Sequence, residues 1–388
     1  MSEIGVGLVG YKFMGRTHSN AYRQVSHFFD VDPSPRMVAI CGRDEDAVQE
    51  AATTLGWEGY ETDYHALINR SDIGLVDVAT TGNTHHDIVI TALEAGKHVL
   101  CEKPLANTLD EAAHMLQEAR KAGVVAMVNF NYRRVPAVQL AKQLIDSGEL
   151  GEIRHWRAVY LQDWINDPNF PLVWRLQKEL AGSGALGDIA AHILDLSHFL
   201  IGQVTEVVGT LDTFINERPR EAPSGGGGLS AAGATERGSV TVDDATSFLA
   251  RFESGTTGTF EASRLAPGRR NHNAFEINGS KGSLSFNLER LNELEAYFVD
   301  DPSGRQGFRT INVTESDHPY AGAWWPAGHI LGYEHTFVHA IKDLMDGIKT
   351  GTSPAPTFED GFRCQAVLDA VERSASERSW ISPRPVPA

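Results

Sequence analysis

The chain is poor in cysteine. Its 388 residues include three cysteines, Cys41, Cys101 and Cys364, which lie far apart and cannot all be paired. This usage is typical of a reducing cytoplasm, where we expect the protein to be located. None of the cysteines forms a pair with metal-site spacing, so a cysteine-rich metal centre is excluded and no metal cofactor is expected.

Positive charge and long apolar runs are also scarce. Lysine and arginine total 34 against 51 aspartate and glutamate residues, which gives a formal net charge of −17. An excess of this sign argues against nucleic acid or an anionic membrane as a partner. No apolar run approaches the roughly 20 residues that span a bilayer. The first residues also lack the basic and apolar regions of a secretory signal.

The length predicts two domains, because a single hydrophobic core seldom serves so many residues. Over residues 1–125, apolar β-prone runs alternate with helical patterns, which predicts an α/β Rossmann domain with a doubly wound parallel sheet. Residues 126–388 are expected to form a second α/β domain with a large open, mostly antiparallel sheet, because apolar and polar residues alternate there. Within it, residues 219–239 contain a glycine-rich run and are predicted to form a mobile hairpin loop.

A glycine turn between the first strand and the first helix indicates dinucleotide binding. Backbone amides and the amino end of a helix in this context face a pyrophosphate. Gly10 and Gly15 occupy the first and third positions of the usual motif, but Lys12 stands where a second glycine would let the backbone approach phosphate. Either the turn lies further from the cofactor, or the Lys12 ammonium reaches a phosphate or the substrate. Phe13 and Met14 complete this predicted cofactor turn.

The end of the second strand leaves the choice of dinucleotide open. Gly42 occupies the position where an acidic residue usually holds the ribose hydroxyls of NAD, and Arg43 and Asp44 follow it. Gly42 beside Arg43 would tolerate the 2′-phosphate of NADP, whereas Asp44 could still bind a free diol. After the next strand, the loop that begins at residue 80 is expected to reach the nicotinamide side through Thr80, Asn83 and His86.

The segment Glu102-Lys103-Pro104 ends another predicted strand. A lysine at the carboxyl end of a strand in an α/β domain projects into the crevice where ligands bind. The alternative is a solvated lysine at an ordinary strand exit. Glu102 is expected to anchor the strand end rather than react.

A second concentration of polar residues lies on the apolar helix predicted at about 186–201. Asp188 and His192 are four residues apart and would share one helical face, with Asp195 three further along. A carboxylate within a turn of an imidazole orients its tautomer and raises its basicity, as a general base requires. The alternatives are a capping aspartate with a core histidine, and a metal site that would add Asp195 and His198. No HExxH pattern supports the metal site.

These motifs together resemble the glucose–fructose oxidoreductase and inositol dehydrogenase (Gfo/Idh/MocA) family over essentially the whole chain. The resemblance implies an amino-terminal Rossmann domain that binds NAD, with NADP left open by Lys12 and Gly42. It also implies a carboxyl-terminal domain whose open sheet forms a subunit interface, and hence a homodimer or homotetramer. The opening at residues 11–22 most resembles members that oxidise the 3-hydroxyl of the anhydro sugar levoglucosan.

The resemblance further implies oxidation of a secondary hydroxyl of a sugar or polyol bound between the domains. His192 would accept the hydroxyl proton, Lys103 would stabilise the developing alkoxide, and Asp188 would grip a neighbouring hydroxyl and fix His192. Lys103 could instead be the base. A redox-assisted glycosidase that forms a 3-keto sugar and a non-catalytic NAD sensor are the alternative functions. Aromatic and polar groups suit sugars, and the candidate contacts are Tyr132, Arg133 (alternatively in a structural ion pair), Trp164, Arg175 and His335.

Overall fold

A computed structural model describes residues 2–222 and 233–387. Its first part contains one sheet of six parallel strands with helices between them. The strands are β1 (Glu3–Val9), β2 (Ser34–Cys41), β3 (Gly59–Glu61), β4 (Leu75–Val78), β5 (His98–Glu102) and β6 (Ala126–Asn129). The helices are α1 (Phe13–Phe28), α2 (Glu45–Leu55), α3 (Tyr64–Ile68), α4 (His85–Glu94) and α5 (Leu109–Ala122).

The strand order β3-β2-β1-β4-β5-β6 confirms the predicted doubly wound sheet. β4 is buried along its whole length, which explains why three of its four residues are apolar and why apolar and polar residues do not alternate along it as in a half-exposed strand. The order reverses direction beside β1, and ligands bind outside the carboxyl ends of the strands at such a point. The sheet continues to Asn129 in β6, past the expected boundary at residue 125.

The second part contains an open sheet of eight strands. These are β7 (Ile153–Leu161), β8 (Val204–Asp212), β11 (Ala245–Phe252), β12 (Thr257–Ser263), β13 (His272–Gly279), β14 (Gly282–Asn287), β15 (Glu293–Phe298) and β16 (Arg309–Asn312). Their order is β16-β15-β14-β13-β7-β12-β11-β8, and every pair is antiparallel except β7 with β12. The mostly antiparallel sheet is therefore confirmed.

Two further strands, β9 (Glu217–Glu221) and β10 (Gly233–Ser239), pair antiparallel in a separate small sheet. This pairing agrees with the hairpin that was predicted over residues 219–239. Residues 223–232, on which the predicted mobile loop falls, lie outside the described residues.

Among the residues that the structure describes, five α-helices belong to the second part and connect it to the first. They are α6 (Pro136–Asp146), α7 (Lys178–Ala181), α8 (Ala191–Leu200), α9 (His335–Thr350) and α10 (Phe358–Glu377). A π-helical turn over Leu186–Ala190 leads directly into α8. Because α9 packs against α1 and α10 packs against α5, both carboxyl-terminal helices cover the Rossmann domain. Within residues 2–222 and 233–387, none of the helices combines the length and apolar character needed to cross a bilayer.

Candidate active site

The turn between β1 and α1 brings backbone atoms close together. Gly10 has a φ of +110°, and a Cβ there would lie 2.6 Å from the carbonyl oxygen of Ala79. A Cβ on Gly15 would lie 2.1 Å from the carbonyl oxygen of Gly10. At the N-cap of α1, the Lys12 side chain forms no capping hydrogen bond within the described structure, and the first turn contains no acidic residue. The amino end of α1 therefore keeps its N–H groups available for an anion, which fits a dinucleotide pyrophosphate.

An aromatic ring lies at the end of β2, where an acidic side chain is usual. A Cβ on Gly42 would come within 2.2 Å of the Tyr11 ring, so the ring itself excludes a larger residue. Burial and the nearby charge of Asp44 raise the pKa of Tyr11, which keeps its phenol neutral. Asp44 also caps α2 by accepting a hydrogen bond of 3.1 Å from the Ala47 N–H. The contacts predicted for Arg43 and Asp44 with the cofactor stay predictions.

The loop after β4 is held in place by its own side chains. Thr84 donates to the Thr80 hydroxyl at 2.7 Å, and Thr81 donates to Oδ1 of Asn83 at 2.7 Å. The buried His85 lies between this loop and the next one, with Nε2 3.2 Å from the Thr80 carbonyl and Nδ1 3.0 Å from that of Pro104. His85 therefore links the two loops that flank the expected nicotinamide position.

The side-chain contacts of His86 give no support to its predicted contact with the cofactor. Its Nε2 lies 2.8 Å from Nδ1 of His114, and its Nδ1 lies 2.9 Å from Oδ1 of Asp87, on the outer surface of α4 and α5. Successive residues of a helix point about 100° apart. Because His85 points into the core, its neighbour His86 points away from it.

Lys103 and Asp188 meet across the two parts of the chain. The Lys103 Nζ donates to the backbone oxygen of Asp188 at 2.8 Å and lies 3.3 Å from its Oδ1. The other carboxylate oxygen faces Arg175 at 3.8 Å and Arg264 at 3.6 Å. Burial acts to raise the pKa of Asp188, but these three cations outweigh burial and hold it well below its usual range. Asp188 is therefore an anion in a positively charged setting.

His192 lies beside this pair, surrounded by aromatic rings. Its ring centroid is 4.5 Å from that of Tyr132 and 5.8 Å from that of Tyr160, and Phe130 packs edge-on. Burial and the charge of Lys103 lower the pKa of His192 well below its usual value, although Asp188 acts in the opposite direction. The imidazole is therefore neutral at neutral pH and able to accept a proton.

The predicted hydrogen bond that would let Asp188 orient His192 is not formed. The Nδ1 of His192 is buried and has no partner among the described residues, and the Asp188 carboxylate faces cations instead. The physical reason is the π-helical turn at Leu186–Ala190, which alters the ordinary four-residue spacing. Asp188 influences His192 through its charge.

Arg133 and Asp195 form a buried ion pair, which agrees with the structural alternative for Arg133 and gives its predicted substrate contact no support. Two parallel bonds join them, from Nε to Oδ2 at 2.8 Å and from Nη2 to Oδ1 at 2.7 Å. Nη2 also donates to Asp360 at 3.3 Å. Through its Nε and Nη2 donors, Arg133 holds α8 in place. Asp195 is thereby removed from the metal alternative, and the structure shows no group of three potential metal ligands in the ranges that it describes.

Three other predicted substrate contacts, Tyr132, Trp164 and Arg175, are held by neighbouring side chains. The Tyr132 hydroxyl is 3.0 Å from that of Tyr160, which donates to Asn271. Gln162 also donates to Asn271 and accepts a hydrogen bond from Trp164, so Trp164 joins the same network at its edge. Arg175 stacks on Trp174 with 4.3 Å from the guanidinium carbon to the ring centroid, next to Asp188.

The structure does not bring His335 to the site. Its ring packs against Trp324 at 4.4 Å between centroids, and its Nδ1 accepts from the Gly332 N–H at 3.0 Å. These contacts stabilise the start of α9. A role for His335 in substrate binding has no support from them.

Sequence reasoning missed three residues, Arg264, His18 and Asp77. Arg264 follows β12, is fully buried and faces Asp188. His18 lies between Asp77 and Glu102 inside the Rossmann domain. The sequence did contain one signal for the contact between His18 and Asp77. Asp77 lies in the otherwise apolar strand β4, and a buried carboxylate there needs a partner.

Comparisons with known proteins agree with this geometry. The model of the oxidoreductase family with an NAD-binding Rossmann fold matches residues 4–130, and that of the GFO/IDH/MocA C-terminal domain matches residues 138–285. Levoglucosan dehydrogenase of Pseudarthrobacter phenanthrenivorans is 43% identical over 98% of both chains. D-apiose dehydrogenase of Paraburkholderia graminis is 26% identical over 95% of this chain and 87% of its own.

Solved structures extend the likeness to the whole chain. An oxidoreductase domain protein from Kribbella flavida superposes with a TM-score of 0.94 and 51% identity, covering 99% of this chain and 100% of its own. A levoglucosan dehydrogenase in complex with NADH and levoglucosan superposes with a TM-score of 0.94 and 41% identity, at the same coverage.

Proposed function

Because the chain belongs to the Gfo/Idh/MocA oxidoreductase family and has its NAD-binding Rossmann fold, we propose that it oxidises a secondary hydroxyl of a sugar. The first candidate is the 3-hydroxyl of levoglucosan. The observation that carries the proposal is the meeting of Lys103, Asp188 and a neutral His192 at one crevice. The identity of 43% to a levoglucosan dehydrogenase supports the choice of substrate.

The proposed roles follow from charge and contact. His192 takes the proton of the reacting hydroxyl, because its imidazole is neutral and lies against Tyr132 and Tyr160 rather than solvent. Lys103 stabilises the alkoxide that forms at the same oxygen, a charge that grows only towards the transition state. Asp188 holds Lys103 and accepts a hydrogen bond from the adjacent hydroxyl. When bound, NAD supplies the hydride acceptor, so that the alcohol becomes a ketone.

The proposed cofactor contacts lie at the carboxyl edge of the parallel sheet: in the turn after β1 and the first turn of α1, in the loops after β2 and β4, and at the end of β5. The loop after β1 would hold the pyrophosphate, that after β2 the adenosine ribose, and those after β4 and β5 the nicotinamide. The residues are Gly10, Lys12, Phe13, Met14, Gly15, Arg43, Asp44, Thr80, Asn83, Glu102 and Lys103.

The test is a spectrophotometric screen at 340 nm with NAD and with NADP. Levoglucosan, glucose and myo-inositol are offered in turn, and accumulation of reduced cofactor with levoglucosan is the expected result. Sugar cleavage without such accumulation would instead identify a redox-assisted glycosidase. The expected homodimer or homotetramer stays a prediction, and light scattering measures it on the same sample.

A variant separates the chemistry from cofactor binding. Lys103→Met should lower turnover by about 10²–10³-fold, the usual effect of removing a group that stabilises a developing oxyanion. NADH binding, followed by its fluorescence, should survive. The matched control is Lys121→Met, since Lys121 is an exposed lysine on α5 that contacts only Glu118 among the described residues. Wild-type turnover in Lys103→Met would refute the assigned role.

A further inference from the structure

A buried polar network connects α1 to the ends of β4 and β5. His18 on α1 is 1% exposed, Asp77 on β4 is fully buried and Glu102 on β5 is 4% exposed. The Nδ1 of His18 lies 2.8 and 3.0 Å from the two oxygens of Asp77, and its Nε2 lies 2.9 Å from Oε1 of Glu102. Nδ2 of Asn129 also lies 3.1 Å from Nε2. With both carboxylates ionised, each of them only accepts hydrogen bonds, and the ring nitrogens that face them then each carry a proton.

The surroundings of the network favour a permanent imidazolium. Burial acts to lower the pKa of His18, but the charges and hydrogen bonds of Asp77 and Glu102 raise it to about 10. The remaining neighbours are uncharged: Tyr22 of α1 donates to Asp77 at 2.9 Å, and Asn129 of β6 donates to Glu102 at 2.7 Å. From α9, the ring of Phe337 lies 5.5 Å from that of His18. The positive charge of Lys103 acts on Glu102 and helps to lower the pKa of its carboxyl group.

Glu102 connects this network to the proposed reaction. Its Oε2 accepts the backbone N–H of Lys103 at 3.1 Å while its Oε1 is held by His18. The helix that carries His18 begins at the glycine turn that faces the cofactor. A movement of His18 would therefore alter both the helix that faces the pyrophosphate and the strand end that presents Lys103.

We propose that His18 is a positioning residue: its imidazolium binds Asp77 and Glu102 together and thereby fixes the direction in which the end of β5 presents Lys103 to Asp188. The expected effect of His18 on catalysis rests on the proposed function. The charge of His18 does not depend on the proposed function, because it is measured in the cofactor-free protein.

The first measurement is NMR of the protein labelled with ¹⁵N-histidine, with the His18 signal identified by its loss in His18→Gln. Both ring nitrogens of His18 should show imidazolium shifts from pH 6 to pH 8.5. A His18 signal that titrates near pH 6.5 would overturn the proposal. This result is independent of whether any sugar is oxidised.

The second measurement uses two variants. In His18→Gln, two buried carboxylates face each other, so one of them must take up a proton. Relative to wild type, its unfolding midpoint should fall as the pH rises from 5 to 6.5, and kcat should drop by about tenfold or more, with a smaller loss of NADH affinity. The double variant His18→Gln/Asp77→Asn removes one carboxylate and should recover most of kcat and abolish the pH dependence.

The control is another buried histidine. His339 on α9 is fully buried and bonded to Trp324 at 2.8 Å and to the carbonyl of Arg134 at 2.9 Å, and burial lowers its pKa to about 3. His339→Gln should lower the unfolding midpoint through loss of packing while kcat stays close to that of wild type, in contrast to His18→Gln. If the double variant is as inactive as His18→Gln, loss of packing rather than of charge is the cause, and the proposal fails.

Discussion

The buried pair of Arg133 and Asp195 allows a quantitative test of a structural role. Replacing Arg133 with Met removes both parallel hydrogen bonds, of 2.7 and 2.8 Å, and leaves the Asp195 carboxylate 1% exposed without its main counter-charge. Removal of one partner from a buried pair costs about 3–5 kcal/mol. Asp360 also loses its contact at 3.3 Å, but it is partly exposed and adds little.

The assay is urea-induced unfolding followed by tryptophan fluorescence. Arg133→Met should lower the free energy of unfolding by about 3–5 kcal/mol, whereas the double variant Arg133→Met/Asp195→Leu should recover more than half of this loss, because no buried charge is left unpaired. The KM for sugar, measured where the single variant is native, should stay within about twofold of wild type. An unchanged unfolding midpoint together with a KM raised about tenfold would show that Arg133 binds substrate, and would refute the reasoning.

Three further predictions follow from the same structure. His86→Ala should leave NADH affinity unchanged in a fluorescence titration, since His86 contacts His114 on the surface, and weaker binding would contradict its placement. Gly42→Ala should displace the ring of Tyr11 at a cost of about 1 kcal/mol and raise the Kd for NADH by about fivefold; an unchanged Kd would count against the close contact. The raised pKa of His18 gives the folded state a stabilisation that is complete below pH 6.5 and is lost towards pH 10. The free energy of unfolding should therefore decline by about 1.4 kcal/mol per pH unit in that range, and the decline should be absent from His18→Gln.

Local patterns in the sequence were enough to predict the architecture. The alternation of strands and helices up to β5, and the period-two pattern of strands such as β11, each depend on neighbours that are close in sequence. The glycine turn and Lys103 each follow a predicted parallel strand. The carboxyl ends of all strands in such a sheet lie at the same edge, where ligands bind, so both could be placed at the crevice from the sequence.

Contacts between distant residues could not be predicted in the same way. Arg133 and Asp195 are 62 residues apart, and nothing in either local pattern distinguishes a paired guanidinium from one that awaits a ligand. His85 and His86 are adjacent, and a shift of one residue in the start of α4 decides which of them is buried. The π-helical turn before α8 changes the relation of Asp188 to His192 although their spacing in sequence is that of an ordinary helix.

The charges around Asp188 distinguish the two candidate bases of the proposed reaction. Lys103 donates to the backbone oxygen of Asp188 and lies beside its carboxylate, which are the contacts of a protonated amine. His192 is a neutral imidazole whose protonated form is disfavoured by burial and by the charge of Lys103. In the proposed reaction we therefore expect the hydroxyl proton to pass to His192 rather than to Lys103. As the alkoxide forms, its negative charge offsets that of Lys103, so proton uptake by His192 and stabilisation of the alkoxide by Lys103 favour each other in the same step.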